Sequence, residues 1–425
     1  MDTRPSSDFH SGPIKAFNDA ARAAHGDGPV PEDLLEERLL SCAIKETGLN
    51  DFGGDGFLQG MRVLLASLES EARLTPFGRH YARSEILKPL KNRLWAERCF
   101  ESHAEILDRE IEAPVIILGL HRSGTTRLHR MLAADARFRF LATWEGFNPA
   151  PRIGSPDQGQ SERYGEVDAV LSQLDIVYPG FRNAHPMSAA LPEEEILLLR
   201  HSFCSPSQFF PYHNPSYYEW FKGKDQTSDY EYMKKLMKLL SWLTNDPPEK
   251  RWLMKNPTHM MQLDVLMRVF PDAKLIFLHR DPVKTAASLM SLRWLGAVQL
   301  TDQPLRAVVR DASLDLCETM ARRCMERRSV GVPKNQWIDI HYDEMSRDWR
   351  SVARRVYDFS GLEFTPEAET SLETWLLDVE SENLHGAHRY ALEDFGAIPE
   401  EVDERMAFYR TWMSIERETR AGQSR

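Results

Sequence analysis

Short apolar runs alternate with longer helical segments through most of this 425-residue chain, and this alternation constrains its fold more than any other feature. The clearest run, at residues 114–119, is entirely apolar and ends in glycine, as a strand buried on both faces does. Similar runs lie at residues 252–254, 274–279 and 336–340. Strands separated by helices indicate a parallel sheet covered on both faces. The sequence therefore predicts a three-layer α/β/α fold with a central parallel sheet.

The chain before the first predicted strand has a different pattern. The first 30 residues or so are rich in Ser, Gly, Pro and Ala, and we expect them to form a loose arm. The following residues repeat leucines at helical spacing, with a break expected at Pro89. The predicted divisions are an N-terminal arm and helical region over residues 1–110, an α/β domain over 111–400 and a C-terminal helix over 401–425.

Composition argues against several classes of protein. The formal net charge of −11 disfavours non-specific nucleic-acid binding, although a local basic pocket can still hold an anion. The five cysteines form no C-x-x-C pair, which argues against a disulfide framework and a thiolate zinc site. No apolar run approaches the ~20 residues that span a membrane, and the polar residues 1–14 do not resemble a secretory signal. We expect a cytoplasmic protein with no nucleic-acid partner and no membrane span. Nothing in the sequence indicates its oligomeric state.

The turn after the first predicted strand has the composition of an anion-binding loop. In Gly-Leu-His-Arg-Ser-Gly-Thr-Thr, which begins at Gly119, the glycines let several amides point at one ligand. The helix that follows adds its unpaired N-terminal amides. Nucleoside triphosphatases have lysine where this chain has Thr125, and the cation here is instead Arg122, which can bind an oxyanion through two nitrogens. The predicted binding residues of this loop are Arg122, Ser123, Gly124, Thr125 and Thr126.

This loop resembles the 5′-phosphosulfate loop of the sulfotransferases. Its Arg-Ser-Gly-Thr-Thr form is similar to the loop of the bacterial and protein-tyrosine branches, whereas the cytosolic steroid and phenol enzymes have lysine in place of Arg122. That family transfers the sulfuryl group of 3′-phosphoadenosine 5′-phosphosulfate (PAPS) to a hydroxyl or an amine. The resemblance implies that Arg122 and the loop amides hold the 5′-phosphosulfate.

A second segment resembles the 3′-phosphate site of the same family. Arg280 follows the strand predicted at 274–279, and Ser288 lies eight residues later in the next helix, the spacing that the family uses. The resemblance implies that both bind the 3′-phosphate; the alternative is a salt bridge between Arg280 and a carboxylate such as Asp281. Residues 385–390 resemble the loop that closes over the nucleotide. There Arg389 is either a further 3′-phosphate contact or a solvated arginine.

Four residues are candidates for the chemistry itself, and one of them is Arg122 of the loop, which is expected to stabilise the transferring group electrostatically together with Lys255 and the loop amides. Lys255, in Lys-Asn-Pro, resembles the lysine that contacts the transferring sulfonate in the tyrosine-sulfotransferase branch, where it would offset charge on the leaving oxygen. The general base is Glu145 or His185, which lie near the positions of the catalytic glutamate and histidine of the two branches. The match at Lys255 favours Glu145. A helix-cap carboxylate and a loop histidine are the structural alternatives for these two residues.

The sequence gives less information about the acceptor than about the donor. Residues 181–221 are dense in aromatic side chains, which line an acceptor pocket or belong to the core. We expect a small-molecule acceptor with apolar or aromatic character.

Three glutamates at residues 193–195 are predicted to begin a helix after Pro192. The predicted reaction is in-line sulfuryl transfer from PAPS without a metal. The alternatives are a P-loop small-molecule kinase, in which Thr126 would hold Mg²⁺, and a catalytically silent nucleotide-binding protein.

Overall fold

A five-stranded parallel sheet forms the centre of the molecule, in the order β2-β3-β1-β4-β5. The computed structural model describes residues 3–26, 34–382 and 391–418. The strands are β1 (Val115–Gly119), β2 (Phe138–Phe140), β3 (Arg251–Lys255), β4 (Lys274–His279) and β5 (Trp337–His341). Four of them match the apolar runs, so the predicted parallel sheet is confirmed. The short β2 was not predicted because Arg139 interrupts its apolar pattern.

Four helices precede the sheet. They are α1 (Gly12–His25), α2 (Glu36–Thr47), α3 (Gly56–Ser70) and α4 (Pro76–Ser102). The prediction of a loose arm is wrong for α1, because Ile14 is buried and the Asn18 side chain accepts a hydrogen bond from Phe77 N at 2.9 Å. The expected break at Pro89 is also wrong, since α4 continues through it.

The other α-helices of the described residues follow β1 along the chain. They are α5 (Thr125–Leu132), α6 (Thr143–Phe147), α7 (Gln160–Ser172), α8 (Leu174–Val177), α9 (Phe181–Ala184), α10 (Ile196–Leu199), α11 (Pro215–Gly223), α12 (Thr227–Leu243), α13 (Leu263–Val269), α14 (Pro282–Ala297), α15 (Arg306–Gly331), α16 (Tyr342–Arg347), α17 (Trp349–Ser360), α18 (Pro366–Glu382), α19 (Pro399–Arg405) and α20 (Ala407–Met413). Within the described residues, no helix combines the length and the apolarity needed to cross a membrane.

Alternate side chains of β1 enter two different cores. Ile116 and Leu118 belong to the larger core, which also contains apolar side chains of α2, α3, α4 and α12. Val115 and Ile117 belong to the smaller core on the opposite face, with side chains of α5, α17 and α18. The helices before residue 110 therefore share a hydrophobic core with the sheet, and the domain boundary at that residue stays a prediction.

The register of the sheet brings three strand ends to one edge. β1 lies between β3 and β4, with Ile117 opposite Lys255 and Gly119 opposite Leu278. Because all strands are parallel, the residues that follow β1, β3 and β4 emerge side by side. The glycine-containing loop thus lies between Lys255 and Arg280.

A substitution at Gly78 tests how closely α4 packs against the rest of the fold. A Cβ at this position in α4 would lie 2.1 Å from the carbonyl oxygen of Leu300. Gly78→Ala is therefore expected to lower the free energy of unfolding by about 1–3 kcal/mol, although alanine is the better helix former. Urea unfolding measures this change.

The matched control is Gly165→Ala in α7, where a Cβ would meet no atom within 4 Å. This variant is expected to gain about 0.5–1 kcal/mol from helix propensity. Equal gains for the two variants would show that α4 and the Leu300 segment do not approach this closely.

Candidate active site

The turn between β1 and α5, residues 119–126, has the features of an anion-binding loop. Gly124 has φ 97°, and a Cβ there would lie 2.7 Å from the Tyr342 ring. Helix α5 begins at Thr125 without a side-chain cap. The buried hydroxyl of Ser123 has no hydrogen-bond partner within the described part of the chain. A buried unpaired hydroxyl beside an uncapped helix terminus fits an anionic ligand such as a phosphosulfate.

One side of this loop holds two arginines and a serine, Arg122, Arg280 and Ser288, which we call the arginine cluster. Arg122 Nε donates to Ser288 Oγ at 2.9 Å, and Arg280 Nη1 donates to the carbonyl oxygen of Arg122 at 3.3 Å. The Arg280 guanidinium also lies 4.0 Å from the centre of the Tyr342 ring. The structure thus brings together residues predicted for opposite ends of one nucleotide, with the Arg122 side chain directed towards Ser288.

A carboxylate of the C-terminal segment pairs with the arginine cluster. Arg280 Nε and Nη2 bind the two oxygens of Glu418 at 2.7 and 3.0 Å, and the Glu418 amide donates to Asp281 at 2.8 Å. This is the salt bridge considered as the alternative role of Arg280, with Glu418 rather than Asp281 as its partner. Arginine binds phosphate through two nitrogens in the same forked geometry that it uses here to bind a carboxylate. Arg389 lies outside the described residues.

The other side of the loop holds an ion pair and a hydroxyl, made of Lys255, Glu194 and Thr126, which we call the lysine cluster. Lys255 is 1% exposed, and its Nζ donates to Thr126 Oγ1 at 3.3 Å. The same ammonium forms an ion pair with the Glu194 carboxylate. Because Thr126 belongs to the first turn of α5, this buried cation lies directly beside the loop.

Glu194 belongs to an acidic turn, residues 193–195, in which two side chains contact Lys255 and the third contacts His185. Glu193 pairs with His185, whose Nε2 lies 3.2 Å from Oε2, and Glu195 accepts a hydrogen bond from Lys255 N at 3.0 Å. Helix α10 begins only at Ile196, after these residues. The prediction of a helix start thus located these residues just before α10 but missed the contacts that their carboxylates make. The available signal for those contacts was the run of three consecutive glutamates.

His185 has an ionised carboxylate as its partner. Burial alone would raise the pKa of Glu193, but His185, Lys255 and Arg130 together hold it well below its usual value. His185 is therefore oriented by a negative charge, as a histidine that exchanges protons often is.

Glu145 neutralises a buried arginine. Its two carboxylate oxygens bind the Arg139 guanidinium at 2.6 and 2.9 Å, and one of them also accepts a hydrogen bond from Ala142 N at 3.0 Å. Arg139 binds Asp246 as well, at 2.8 Å. Burial would lower the pKa of Arg139, but the two carboxylates raise it. This geometry favours the structural role of Glu145 over the role of general base.

The aromatic segment divides between core and cavity. Phe203, Tyr217 and Phe221 are buried in the larger core, whereas Phe210 lines a cavity and packs edge-on against His121 of the loop, with ring centres 5.0 Å apart. Burial and the nearby cations lower the pKa of His121 to about 3, so this ring is neutral. Some aromatic residues of the segment therefore belong to the core, and others line a cavity.

The comparisons with known proteins agree with this site. A sequence model of the sulfotransferase family matches residues 114–366, which is more than half of the chain. The chain belongs to the sulfotransferase family. It is 24% identical over 258 residues to the omega-hydroxy-beta-dihydromenaquinone-9 sulfotransferases Stf3 of Mycobacterium bovis and Mycobacterium tuberculosis, and the match covers 59% of this chain and 63% of each relative. Less than two thirds of the length of these relatives is thus represented here.

Two solved sulfotransferase structures share the fold over nearly their whole length. The structure of STF1 from Mycobacterium tuberculosis is 31% identical, covers 88% of this chain and 98% of its own, and has a TM-score of 0.75. The structure of STF9 from Mycobacterium avium is 25% identical, covers 92% of this chain and 100% of its own, and has a TM-score of 0.79.

Glu195 gives the site a measurable pH dependence. Burial raises the pKa of its carboxyl from 4.5 to about 8. Between these values the native protein holds a proton that the unfolded chain has lost, so stability falls as pH rises. Glu195→Gln keeps an acceptor for Lys255 N but does not titrate. We expect the loss of stability between about pH 5 and pH 8 to shrink by roughly 1–3 kcal/mol, measured by urea unfolding.

The control is Glu112→Gln, because Glu112 is exposed. Its stability curve is expected to run parallel to that of the wild type over the same pH range. If the Glu195→Gln curve were also parallel, the Glu195 carboxyl would not retain its proton in the folded protein.

Proposed function

We propose that this protein transfers the sulfuryl group of PAPS to a hydroxyl or amine of a small-molecule acceptor. The observation that carries the proposal is the pair of cationic clusters on either side of a loop with an unpaired buried hydroxyl. This arrangement suits a nucleotide with anionic groups at both its 3′ and 5′ positions. PAPS, when bound, supplies a sulfuryl group activated by a phosphate leaving group.

The residues for binding the donor divide into two sets. Loop amides and the hydroxyls of Ser123, Thr125 and Thr126 hold the 5′-phosphosulfate, since they surround the N-terminus of α5. The arginine cluster holds the 3′-phosphate, because the Arg280 guanidinium already binds a carboxylate in forked geometry. ATP has no 3′-phosphate, so this second contact selects the donor.

Lys255 and Glu194 are the groups best positioned for the chemistry. The Lys255 ammonium stabilises negative charge that develops on the leaving oxygen, and Thr126 holds it in place. Glu194, now paired with that ammonium, is released when Lys255 turns to the anionic ligand, and it accepts the proton of the attacking hydroxyl. His185 remains the alternative base through its pairing with Glu193.

Nucleotide binding and transfer test the proposal directly. Purified protein with radiolabelled PAPS is expected to sulfonate at least one member of a panel of alcohols, phenols and amines. Calorimetry should show 3′,5′-diphosphoadenosine binding more tightly than ADP with Mg²⁺, which a kinase would prefer. Arg280→Ala should weaken the diphosphate by about tenfold or more, since it removes charged hydrogen bonds. No transfer to any panel member would contradict the proposal.

Glu418→Gln is the matched variant, and it should change the affinity for the diphosphate in the direction opposite to Arg280→Ala. It weakens the pairing between Glu418 and Arg280 without changing any group assigned to the nucleotide. The affinity for 3′,5′-diphosphoadenosine should therefore rise a few-fold. An unchanged affinity in both variants would remove Arg280 from the nucleotide site.

Three substitutions separate the candidate bases. Glu194→Gln should lower kcat by about 10²–10⁴-fold while leaving diphosphate binding within a few-fold of the wild type. Glu145→Gln should mainly lower stability, by roughly 3–5 kcal/mol, because it breaks the buried pair with Arg139. A normal kcat for Glu194→Gln together with a large loss for His185→Asn would transfer the role of base to His185.

A further inference from the structure

A cavity of about 260 Å³ lies between α14, α15 and the loop that precedes α11. Its wall is mostly apolar and aromatic, with Phe209, Phe210, Leu305 and Val309 among the lining residues. This volume is close to the lower end of the range for small-molecule sites, about 300–1,000 Å³. The cavity therefore suits a compact apolar molecule.

One charged side chain in this wall has no ion-pair partner among the described residues. Arg293 lines the cavity and is 8% exposed, and it makes no hydrogen bond or ion pair with any residue that the structure describes. Its guanidinium lies 5.4 Å from the centre of the Phe210 ring. Burial lowers the pKa of Arg293 to about 10, so it stays charged at neutral pH. A buried arginine without a counter-charge is costly to stability and needs an explanation.

Two carboxylates lie near this arginine, and neither forms an ion pair with it. Asp311 lines the same cavity but binds Arg310 at 2.7 Å. Asp315 acts electrostatically on Arg293, while its Oδ2 lies 3.7 Å from the Lys222 ammonium and makes no hydrogen bond within the described residues. The protein thus leaves one positive charge in an apolar cavity without a direct ion pair among the described residues.

The cavity adjoins the proposed site of sulfuryl transfer. Phe210 lines the cavity and also contacts His121 of the anion-binding loop, with ring centres 5.0 Å apart. Lys255 and Arg293 both lower the pKa of His121, so that the lysine cluster and the cavity arginine act on the same ring. A molecule in the cavity is therefore separated from the loop by about one layer of side chains.

We propose that this cavity is the acceptor pocket and that its ligand is an apolar molecule bearing a carboxylate, which pairs with Arg293. The identity of the pocket as the acceptor site rests on the proposed sulfotransferase function. The carboxylate supplies the direct ion pair that Arg293 does not make with the described residues, and the aromatic wall holds the rest of the molecule. The acceptor is thus an amphipathic hydroxy acid rather than a neutral alcohol.

Calorimetry with a matched pair of ligands tests the recognition without requiring turnover. The probes are 4-phenylbutanoate and 4-phenylbutan-1-ol, which differ only in the carboxylate. The wild type should bind the acid at least tenfold more tightly than the alcohol. Arg293→Met should lose this preference and leave binding of the alcohol unchanged, while Arg293→Lys should retain part of it. Arg322→Gln, an exposed position of α15 paired with Glu318, should match the wild type.

The melting temperature without ligand distinguishes a ligand-binding Arg293 from one that only stabilises the fold. Because Arg293→Met removes an unpaired buried charge, its melting temperature in the absence of ligand should rise by a few degrees. Equal binding of acid and alcohol to the wild type would overturn the proposal without any variant. So would a lower melting temperature of Arg293→Met combined with equal losses for both ligands.

Turnover then links the pocket to the proposed reaction. With PAPS, 4-(4-hydroxyphenyl)butanoate should be sulfonated with a kcat/KM at least tenfold above that of 4-butylphenol, and Arg293→Met should abolish the difference. If the protein binds 3′,5′-diphosphoadenosine but shows no preference for the acid, the acceptor proposal fails and the sulfotransferase function stands. If the acid binds through Arg293 but neither the diphosphate binds nor transfer occurs, the proposed function fails, and the cavity is a carboxylate site without the acceptor role.

Discussion

The position of β1 between β3 and β4 brings the two principal cations of the candidate site, Lys255 and Arg280, to the anion-binding loop. Parallel pairing on both sides of β1 places Lys255 and Arg280 at the same edge of the sheet, with the anion-binding loop between them. Two strand pairings that are buried in apolar surroundings thus fix the spacing between charges that are distant in sequence.

Burial of these charges requires partners, and the fold supplies them from distant segments. Lys255 is held by Glu194, which precedes α10, and this segment is itself fixed by a bridge between Ala142 and Pro192. Arg139 of β2 is neutralised in the same way by Glu145 and Asp246. Such pairs contribute less to stability than their number suggests, because each charge must first be desolvated. They do make the loss of one partner costly, which keeps the remaining geometry in place.

The sequence allowed prediction of the features that depend on local pattern. The apolar runs predicted four of five strands, and the glycine spacing located the loop after β1 because backbone geometry there depends on a few adjacent residues. The pairing of Glu194 with Lys255 and of Glu418 with Arg280 could not be predicted, since both join residues far apart in the chain. The expectation for Glu145 rested on its distance from the loop along the chain, which does not reveal that Arg139 takes its carboxylate.

Both cationic clusters contact carboxylates of the chain itself, and this affects how an acidic protein can bind an acidic ligand. Glu194 neutralises Lys255, and Glu418 neutralises Arg280, so neither cation is left uncompensated. Binding of a phosphate at either position is then an exchange of one anion for another, and its affinity is a difference between two strong interactions. The displaced Glu194 carboxylate stays beside the loop, where a proton acceptor is required. The charge pairs that stabilise the cations thus place a base where the proposed chemistry needs one.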